Sequence, residues 1–153
     1  MLETEQKYWV VTASADHAAR GKGLGIVQAC HGKAAPLRRM RPGDGVVIYS
    51  PRQAMTGGAA VQAFTALGHV AGPEVWQVEM APGFCPWRRA VEWVAAPWAP
   101  IRPMLADLDL TRGEAAWGMV FRFGLRALSA ADFARIAAAM AVDSGAGLRQ
   151  SAG

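Results

Sequence analysis

The chain has 153 residues, 52% of them hydrophobic, and this length predicts a single domain whose core needs no disulfide or metal. Its sixteen Lys and Arg residues exceed its twelve Asp and Glu residues by four, and all but three of the sixteen are Arg. Because arginine binds phosphate bidentately and stacks on flat rings, this excess favours an anionic partner such as nucleic acid. The alternative is that the charge only keeps a small domain in solution.

The cysteines and the N-terminus exclude several classes of protein. Cys30 and Cys85 lie far apart and form no CxxC or Cys/His ligand spacing, so we predict no metal and no cofactor. The first residues are acidic and lack the apolar stretch of a secretory signal, and no run of about 18 apolar residues is present. We therefore expect a cytoplasmic protein with free thiols and no membrane segment.

The N-terminal part of the chain predicts a strand, a short helix and a glycine-rich loop. Residues 7–12 are aromatic and β-branched, as is typical of a strand. Ser14 is a good N-cap for a helix that we expect to end at Gly21. Residues 21–25 then predict a loop, which lacks the spacing of a phosphate-binding or dinucleotide-binding motif.

Residues 28–51 combine three different signals in a short stretch. A polar segment at 30–33 is followed by a helical turn at 36–40 that carries two adjacent arginines. Residues 41–44 contain a Pro-Gly pair that predicts a type II turn, and the turn leads into the apolar strand 46–49. A polar loop, a basic turn and a core strand placed together indicate a binding site on a rigid support.

The remainder of the chain predicts further strands and a terminal helix. The strands are expected at residues 62–70, 75–80, 87–94 and 119–128, and the Gly72-Pro73 pair is expected to form a turn between the first two. Residues 129–140 begin with a Ser N-cap and carry one apolar stripe, which predicts an amphipathic helix.

These elements predict a mainly β fold with flanking helices, of the α+β class. We expect a partly open β-barrel of about six strands with short helices and a C-terminal amphipathic helix. Residues 1–142 are predicted to form the domain, and residues 143–153 a disordered tail.

No pattern of residues selects a catalytic site. The histidines do not accompany Ser or Cys in a recognisable nucleophile motif, and the neighbours Cys30 and His31 point to opposite sides of an extended chain. Glu79 and Glu92 are internal carboxylates, but nothing pairs them for acid–base work. We therefore predict a binding module that is not an enzyme.

Binding is better supported, because the six tryptophans are many large rings for a small barrel. One or two rings and a few polar groups at a barrel mouth form a pocket for a flat heterocycle. The alternatives are that most rings are core and that the basic residues are solvated surface. The candidates for phosphate contact are Lys22, Lys33, Arg38, Arg39, Arg52, Arg88 and Arg89.

Several short motifs, taken in order, resemble the EVE domains of the PUA-like superfamily. The resemblance covers residues 8–140 and is carried by Tyr8-Trp9, His31-Gly32-Lys33, Met40-Arg41-Pro42-Gly43-Asp44, Tyr49-Ser50-Pro51, Pro86-Trp87-Arg88-Arg89 and Trp117-Gly118 with Phe121-Arg122. Related YTH domains read a methylated adenine in an aromatic cage. The resemblance implies a PUA-like barrel that reads a modified base, methylated cytosine or adenine, in DNA or RNA, beside restriction or RNA-modification proteins.

The resemblance also implies where the base would bind. The pocket would lie between the first strand, the loop 31–33, the strand end at 49–51 and residues 117–122. Trp9 or Trp117 would stack on the base. The implied pocket residues are Trp9, Ser14, Gln28, His31, Gly32, Lys33, Tyr49, Ser50, Trp117 and Arg122.

Two other functions remain open at this point. Some PUA-like relatives, of the ASCH type, resemble small hydrolases, and such an enzyme would need Lys33 together with Glu79 or Glu92 in the pocket. The third alternative is a sensor that binds a small metabolite in the same pocket, without a nucleic-acid polymer.

Overall fold

The structure is a computed structural model that describes residues 6–29, 32–54 and 56–142. Its strands are β1 Tyr8–Thr12, β2 Ile26–Val27, β3 Gly45–Arg52, β4 Ala60–Gln77, β5 Trp87–Trp93, β6 Ala99–Pro100 and β7 Leu125–Leu128. Its α-helices are α1 Ala15–Leu24, α2 Ala34–Arg38 and α3 Ala130–Ala139, and short 3-10 helices cover Arg102–Met104 and Trp117–Phe121. The predicted tail 143–153 lies outside the described residues.

All of these strands belong to one mixed sheet with the order β2-β5-β4-β3-β1-β7. β1 runs parallel to β3, and the other paired strands are antiparallel. β6 pairs with β4 on the edge that β5 also occupies. The predicted α+β class with a partly open sheet is confirmed, and within the described residues the sheet does not close into a barrel.

The sheet separates two hydrophobic clusters, one on each face. On one face Val46 and Ile48 of β3 pack with Trp9 and with residues of α1 and α2, and we call this the α1 face. On the other face Val47 and Tyr49 pack with residues of α3 and of the 3-10 helix Trp117–Phe121, and we call this the α3 face. Because successive residues of a strand point to opposite faces, β3 contributes to both clusters and is buried on both sides.

Several local predictions are confirmed. In the turn 41–44 the Asp44 amide donates to the Arg41 carbonyl at 3.0 Å, and Gly43 has a φ of 90°, as a type II turn requires. Ser129 caps α3 by accepting the Asp132 amide at 3.0 Å. The predicted apolar stripe of this helix, from Phe133 to Met140, is buried against the sheet.

The predicted end of α1 at Gly21 is wrong. The helix continues to Leu24 and ends where Gly25 adopts a left-handed conformation with a φ of 71°. Glycine at position 21 instead allows the backbone of Ile26 to pack closely against the helix, because a Cβ at this position would lie 2.8 Å from the carbonyl oxygen of Ile26. The residues predicted as a glycine-rich loop are therefore mostly the last turn of a helix.

The predicted turn at Gly72-Pro73 is also wrong, because β4 runs through it as one long strand. β4 pairs with β5 on both sides of an irregularity between Val70 and Val75. A proline that lacks an amide donor is tolerated at such a break in the ladder. The two strands predicted at 62–70 and 75–80 are thus largely one.

The predicted strand 119–128 is correct only over Leu125–Leu128. Its first part forms the 3-10 helix, in which Phe121 is buried and stacks on Tyr49. In a strand over 119–128, Phe121 and Phe123 would lie on the same face, two residues apart, but Phe123 is 66% exposed. The period-two pattern of apolar residues was therefore misleading, because a buried ring contact and not a strand places Phe121.

Candidate functional site

A cleft on the α1 face is the candidate site. Its empty space is about 390 Å³, a figure that includes the solvent at its open mouth. Its apolar walls come from α1, β2, β3 and the connection between β4 and β5. The apolar side chains are Leu24, Ile26, Val27, Ile48 and Met80. Its polar lining consists of His17, Arg20, Gln28 and Arg88.

Helix α1 supplies one wall of the cleft through a single stripe of residues. His17, Arg20, Gly21 and Leu24 all line the cleft, and they occupy positions i, i+3, i+4 and i+7 of the helix. This spacing places them on one face. The cap at Ser14, which accepts the His17 amide at 3.2 Å, fixes the start of the helix and therefore the position of the stripe.

Arg88 lines the cleft and carries an unsatisfied donor. Its Nε atom is buried and has no hydrogen-bond partner among the described residues. A buried charged donor without a partner costs free energy, of the order of 1–3 kcal/mol or more, that a hydrogen-bond acceptor on a ligand would recover. Arg88 is therefore the residue of the cleft that is most clearly prepared for a ligand.

Gln28 connects the two sides of the cleft. It is 8% exposed, its Nε2 donates to the Met80 sulfur at 3.6 Å, and its side chain also hydrogen-bonds that of His17. A thioether is a weak acceptor, so the amide retains hydrogen-bonding capacity for a better partner. The carboxamide offers both a donor and an acceptor in the lining of the cleft.

The cleft is positive but not strongly so. Its lining contains two arginines and no carboxylate. Burial lowers the pKa of His17 below its ordinary value of 6.5, and the nearby charge of Arg20 lowers it further, while the hydrogen bond with Gln28 acts in the opposite direction. His17 is therefore neutral near pH 7, with one ring nitrogen that donates and one that accepts.

Of the predicted site residues, Gln28 and Arg88 line this cleft. His31 lies outside the described residues. Ser14 acts through its helix cap. Gly32 packs on Pro86, whose Cβ would lie 2.6 Å from a Cβ at this position, and Lys33 is exposed at the start of α2.

The predicted stacking role of Trp9 is wrong, because the side chain is part of the core. Trp9 is 4% exposed, and its Nε1 donates to Asp44 Oδ2 at 2.8 Å. The guanidinium of Arg39 lies over its ring at 5.0 Å. No surface of the indole is left for a base.

Tyr49 and Ser50 are also core residues and not part of a pocket. The Tyr49 ring stacks on Phe121 at 4.2 Å, and burial raises the pKa of its hydroxyl to about 12. The Ser50 hydroxyl is fully buried and pairs with the Thr65 hydroxyl at 2.8 Å. These contacts correct the prediction that the two side chains face a ligand.

Trp117 and Arg122 belong to the α3 face, on the side of the sheet opposite to the cleft. Trp117 is half-buried and packs edge-on against Tyr49, whereas Arg122 is exposed. The structure therefore does not bring together the single pocket that the sequence predicted. Its members are divided between the two faces of the sheet.

The predicted phosphate contacts differ in their accessibility. Arg89 is 3% exposed and donates to backbone carbonyls, so the prediction that it meets phosphate is wrong. Lys22 is half-buried, and Arg52 is exposed with a hydrogen bond to the Gly58 carbonyl. Arg38 and Arg39 are exposed and lie over Trp87 and Trp9.

Sequence reasoning missed His17, Arg20 and Met80. A signal for the first two was present, since the i, i+3, i+4, i+7 stripe of α1 is visible once the helix is extended past Gly21. For Met80 there was none, because only the fold of β4 and β5 places it opposite Gln28.

Within residues 6–29, 32–54 and 56–142, no group of three or more His, Cys, Asp or Glu side chains is arranged to hold a metal ion. The lining of the cleft includes none of Lys33, Glu79 and Glu92. No helix in the described part of the chain combines the length and the apolar character that crossing a bilayer takes.

Comparison with known proteins agrees with the resemblance seen in the sequence. The UPF0310 protein msl3206 of Mesorhizobium japonicum is 51% identical over 135 residues, which are 87% of this chain and 91% of the relative. A UPF0310 protein of Mycolicibacterium vanbaalenii is 46% identical over 132 residues, 86% of this chain and 91% of the relative.

A solved structure supports the fold. The crystal structure of protein Atu2648 from Agrobacterium tumefaciens matches with a TM-score of 0.56 at 10% identity, over 90% of this chain and 95% of that chain. At this identity the likeness concerns the fold alone. The family model of the EVE domain matches residues 7–139, and the chain therefore belongs to the EVE domain family.

Proposed function

We propose that this protein is a nucleic-acid-binding module, without enzymatic activity, that reads one modified base in the cleft on the α1 face. The observation that carries the proposal is Arg88, which lines a cleft with apolar walls and whose buried Nε has no partner among the described residues. Membership of the EVE domain family is consistent with such a role, which the resemblance implied.

The chemistry of the cleft matches that of a nucleobase. A base has flat apolar faces and an edge with carbonyl oxygens and ring nitrogens that accept hydrogen bonds. Arg88 Nε donates to such an acceptor, and the Gln28 amide pairs with a neighbouring group of the same edge. Ile26 and Met80 contact the faces of the base, and a flexible thioether also adapts to an added methyl group.

The surroundings of the cleft favour a polymer over a free base. Turning a base out of a strand costs a few kcal/mol, which phosphate contacts must offset. Arg20 lines the cleft. Arg38 and Arg39 are exposed at the end of α2, and this helix contacts β5, the strand that carries Arg88. We propose Lys22, Lys33, Arg38, Arg39 and Arg52 as the residues that meet phosphate.

The test is a direct titration of the protein with short oligonucleotides, both DNA and RNA. These carry unmodified bases, 5-methylcytosine, 5-hydroxymethylcytosine or N6-methyladenine, at two salt concentrations. We expect at least about a tenfold preference for one modified base, which is ~1.4 kcal/mol. Affinity should also fall with salt. On a duplex, each phosphate contact should lower the binding constant by roughly 0.9 log units for each tenfold increase in salt concentration.

Two variants place the binding in the cleft. Arg88→Gln and Gln28→Ala should abolish the preference, because each removes a polar group that faces the base. Arg112→Gln is the matched control, since Arg112 is an exposed arginine that pairs with Asp109 away from the cleft. Unchanged selectivity in both cleft variants would contradict the proposal.

A small-metabolite sensor is the second candidate, because the lining of the cleft is mostly apolar or neutral and contains two arginines. Such a sensor would bind free nucleosides or similar heterocycles as tightly as oligonucleotides, with little dependence on salt. The hydrolase alternative finds less support, because its lysine and carboxylates do not line the cleft. Product formation from any bound ligand, lost in Lys33→Ala, would favour it over our proposal.

A further inference from the structure

Three arginines on the α3 face each cover an apolar group that lies on or beside the 3-10 helix Trp117–Phe121. Arg102 lies over the Trp117 ring at 5.6 Å, and Arg126 lies over the Phe123 ring at 5.9 Å. Arg122 Nη1 is 3.3 Å from the sulfur of Met119. We call these six residues the aromatic–arginine surface.

This surface is both exposed and firmly supported. Phe123 is 66% exposed and Met119 is 51% exposed, and exposed apolar side chains that lie together mark candidate interaction sites. Between them in sequence, Phe121 is buried and stacks on Tyr49 with an interplanar angle of 27°. The buried ring anchors the segment, so the exposed side chains on either side are presented from a rigid base.

The charge of this surface is not neutralised. Residues 117–128 contain two arginines and no carboxylate. Among the described residues, no ion pair is formed by Arg102, Arg122 or Arg126, whereas Arg112 and Arg135 pair with Asp109. Arg102 donates to Gln62 Oε1 at 2.8 Å and Arg126 donates to the Val120 carbonyl at 3.3 Å, and both acceptors are uncharged. Rings between guanidinium groups that have no acidic partner complement a strand that offers flat bases and negative phosphates.

The surface lies outside the cleft but is connected to it through β1. The amide of Thr12, at the end of β1, donates to the carbonyl of Gly124, which directly follows Phe123. Two residues after Thr12, Ser14 caps α1, the helix that carries His17 and Arg20 into the cleft. The segment that carries Phe123 and the start of α1 therefore both lie near the C-terminal end of β1, on opposite faces of the sheet.

We infer that the aromatic–arginine surface binds the nucleotides that flank the recognised base on the same strand. Their bases stack on Phe123 and Trp117, and their phosphates bind Arg102, Arg122 and Arg126. This inference rests on the proposed function, since it takes the strand to be the one whose base enters the cleft. It assigns affinity to the α3 face and base selectivity to the α1 face.

The experiment compares a short ligand of about three nucleotides with a single strand of about twelve, a length within the range of single-strand binding sites. Phe123→Ala and Arg122→Gln should weaken binding of the long strand roughly five- to tenfold, as expected when a stacked base or a phosphate contact is lost. Neither should change affinity for the short ligand or the ratio of modified to unmodified base.

Trp76→Ala is the matched control, because Trp76 is an exposed ring on β4 that is 41% exposed and lies outside this surface. Equal affinity of wild type and Phe123→Ala for the long strand would overturn the inference. Dissociation of a wild-type dimer in Phe123→Ala, seen by sedimentation, would also overturn it, because a second copy of the chain would then be the occupant.

The outcome is distinguishable from failure of the proposed function. The wild type could show no preference for a modified base while Phe123→Ala still lowers affinity for the long strand. The proposed base reading then fails, and binding at the aromatic–arginine surface is supported. If the wild type prefers one modified base and Phe123→Ala binds both ligands as the wild type does, the proposed base reading is supported and the inference about the aromatic–arginine surface fails.

Discussion

Arg88 and Arg89 are neighbours on β5, yet their surroundings are opposite. Arg89 is buried, and its guanidinium donates to the carbonyls of Leu37, Met40 and Gly72 at 2.8–3.2 Å. Arg88 has a buried Nε with no partner among the described residues, at the edge of the cleft. A buried polar group that is fully satisfied holds the fold together, whereas one that is left unsatisfied keeps its hydrogen-bonding capacity for another partner.

Asp44 belongs to the satisfied group, together with Arg89. Its carboxylate accepts hydrogen bonds from Trp9 Nε1 and from the amides of Lys7 and Arg41, at 2.8–3.1 Å. These bonds join the start of β1 to the turn that precedes β3. The two buried charges therefore fix the positions of four segments, while Arg88 fixes none.

The largest expected effect comes from exchanging the two arginines for methionine. Arg89→Met leaves three buried carbonyls without their donor, so we expect it to lower the free energy of unfolding by about 3–5 kcal/mol. Arg88→Met removes the cost of burying a donor that has no partner, and should leave the free energy of unfolding unchanged or raise it by up to about 3 kcal/mol. Urea denaturation followed by tryptophan fluorescence measures both.

The two methionine variants can also contradict the contrast between Arg88 and Arg89. Similar losses in the two variants would mean that Arg88 is structural as well. A loss below about 1 kcal/mol in Arg89→Met would mean that its carbonyl partners find water or other donors.

A smaller effect is expected at two glycines of α1. Gly21→Ala places a Cβ 2.8 Å from the Ile26 carbonyl oxygen, in the wall of the cleft, and should destabilise the protein by about 1–3 kcal/mol. Gly23→Ala meets nothing within 4 Å and should stabilise the helix by roughly 0.5–1 kcal/mol. Thermal unfolding of the two variants tests this, and a stabilising Gly21→Ala would show that the wall yields easily.

The smallest effect is the pH dependence of stability. Burial lowers the pKa of both His17 and His69 below 6.5, so the unfolded chain takes up protons at a higher pH than the folded one. The stability that these neutral histidines contribute is present above about pH 6.5 and is lost as the pH falls below it.

His17→Gln sharpens this prediction, because it removes the histidine of the cleft and leaves His69. The free energy of unfolding should fall less between pH 7 and pH 5 in this variant than in the wild type, as measured by urea titrations across that range. An unchanged slope would mean that His17 has the same pKa in the folded and unfolded states.

The sequence by itself determined the elements that depend on local chemistry. The Pro-Gly turn before β3 and the Ser-capped, striped helix α3 were predicted correctly because turn residues, caps and helical stripes act over a few residues. The order and spacing of short motifs was enough to identify the EVE domain family, which the whole-chain comparison confirms.

Tertiary structure alone decided which residues form a site. Sequence pattern marks Trp9 and Trp117 alike as large rings, but the pairing of β1 with β3 and β7 buries the first and leaves the second on the opposite face. In the same way nothing local distinguishes Arg88 from Arg89. The difference arises because alternate residues of a strand face different neighbours, and only the assembled sheet determines whether those neighbours satisfy a buried charge.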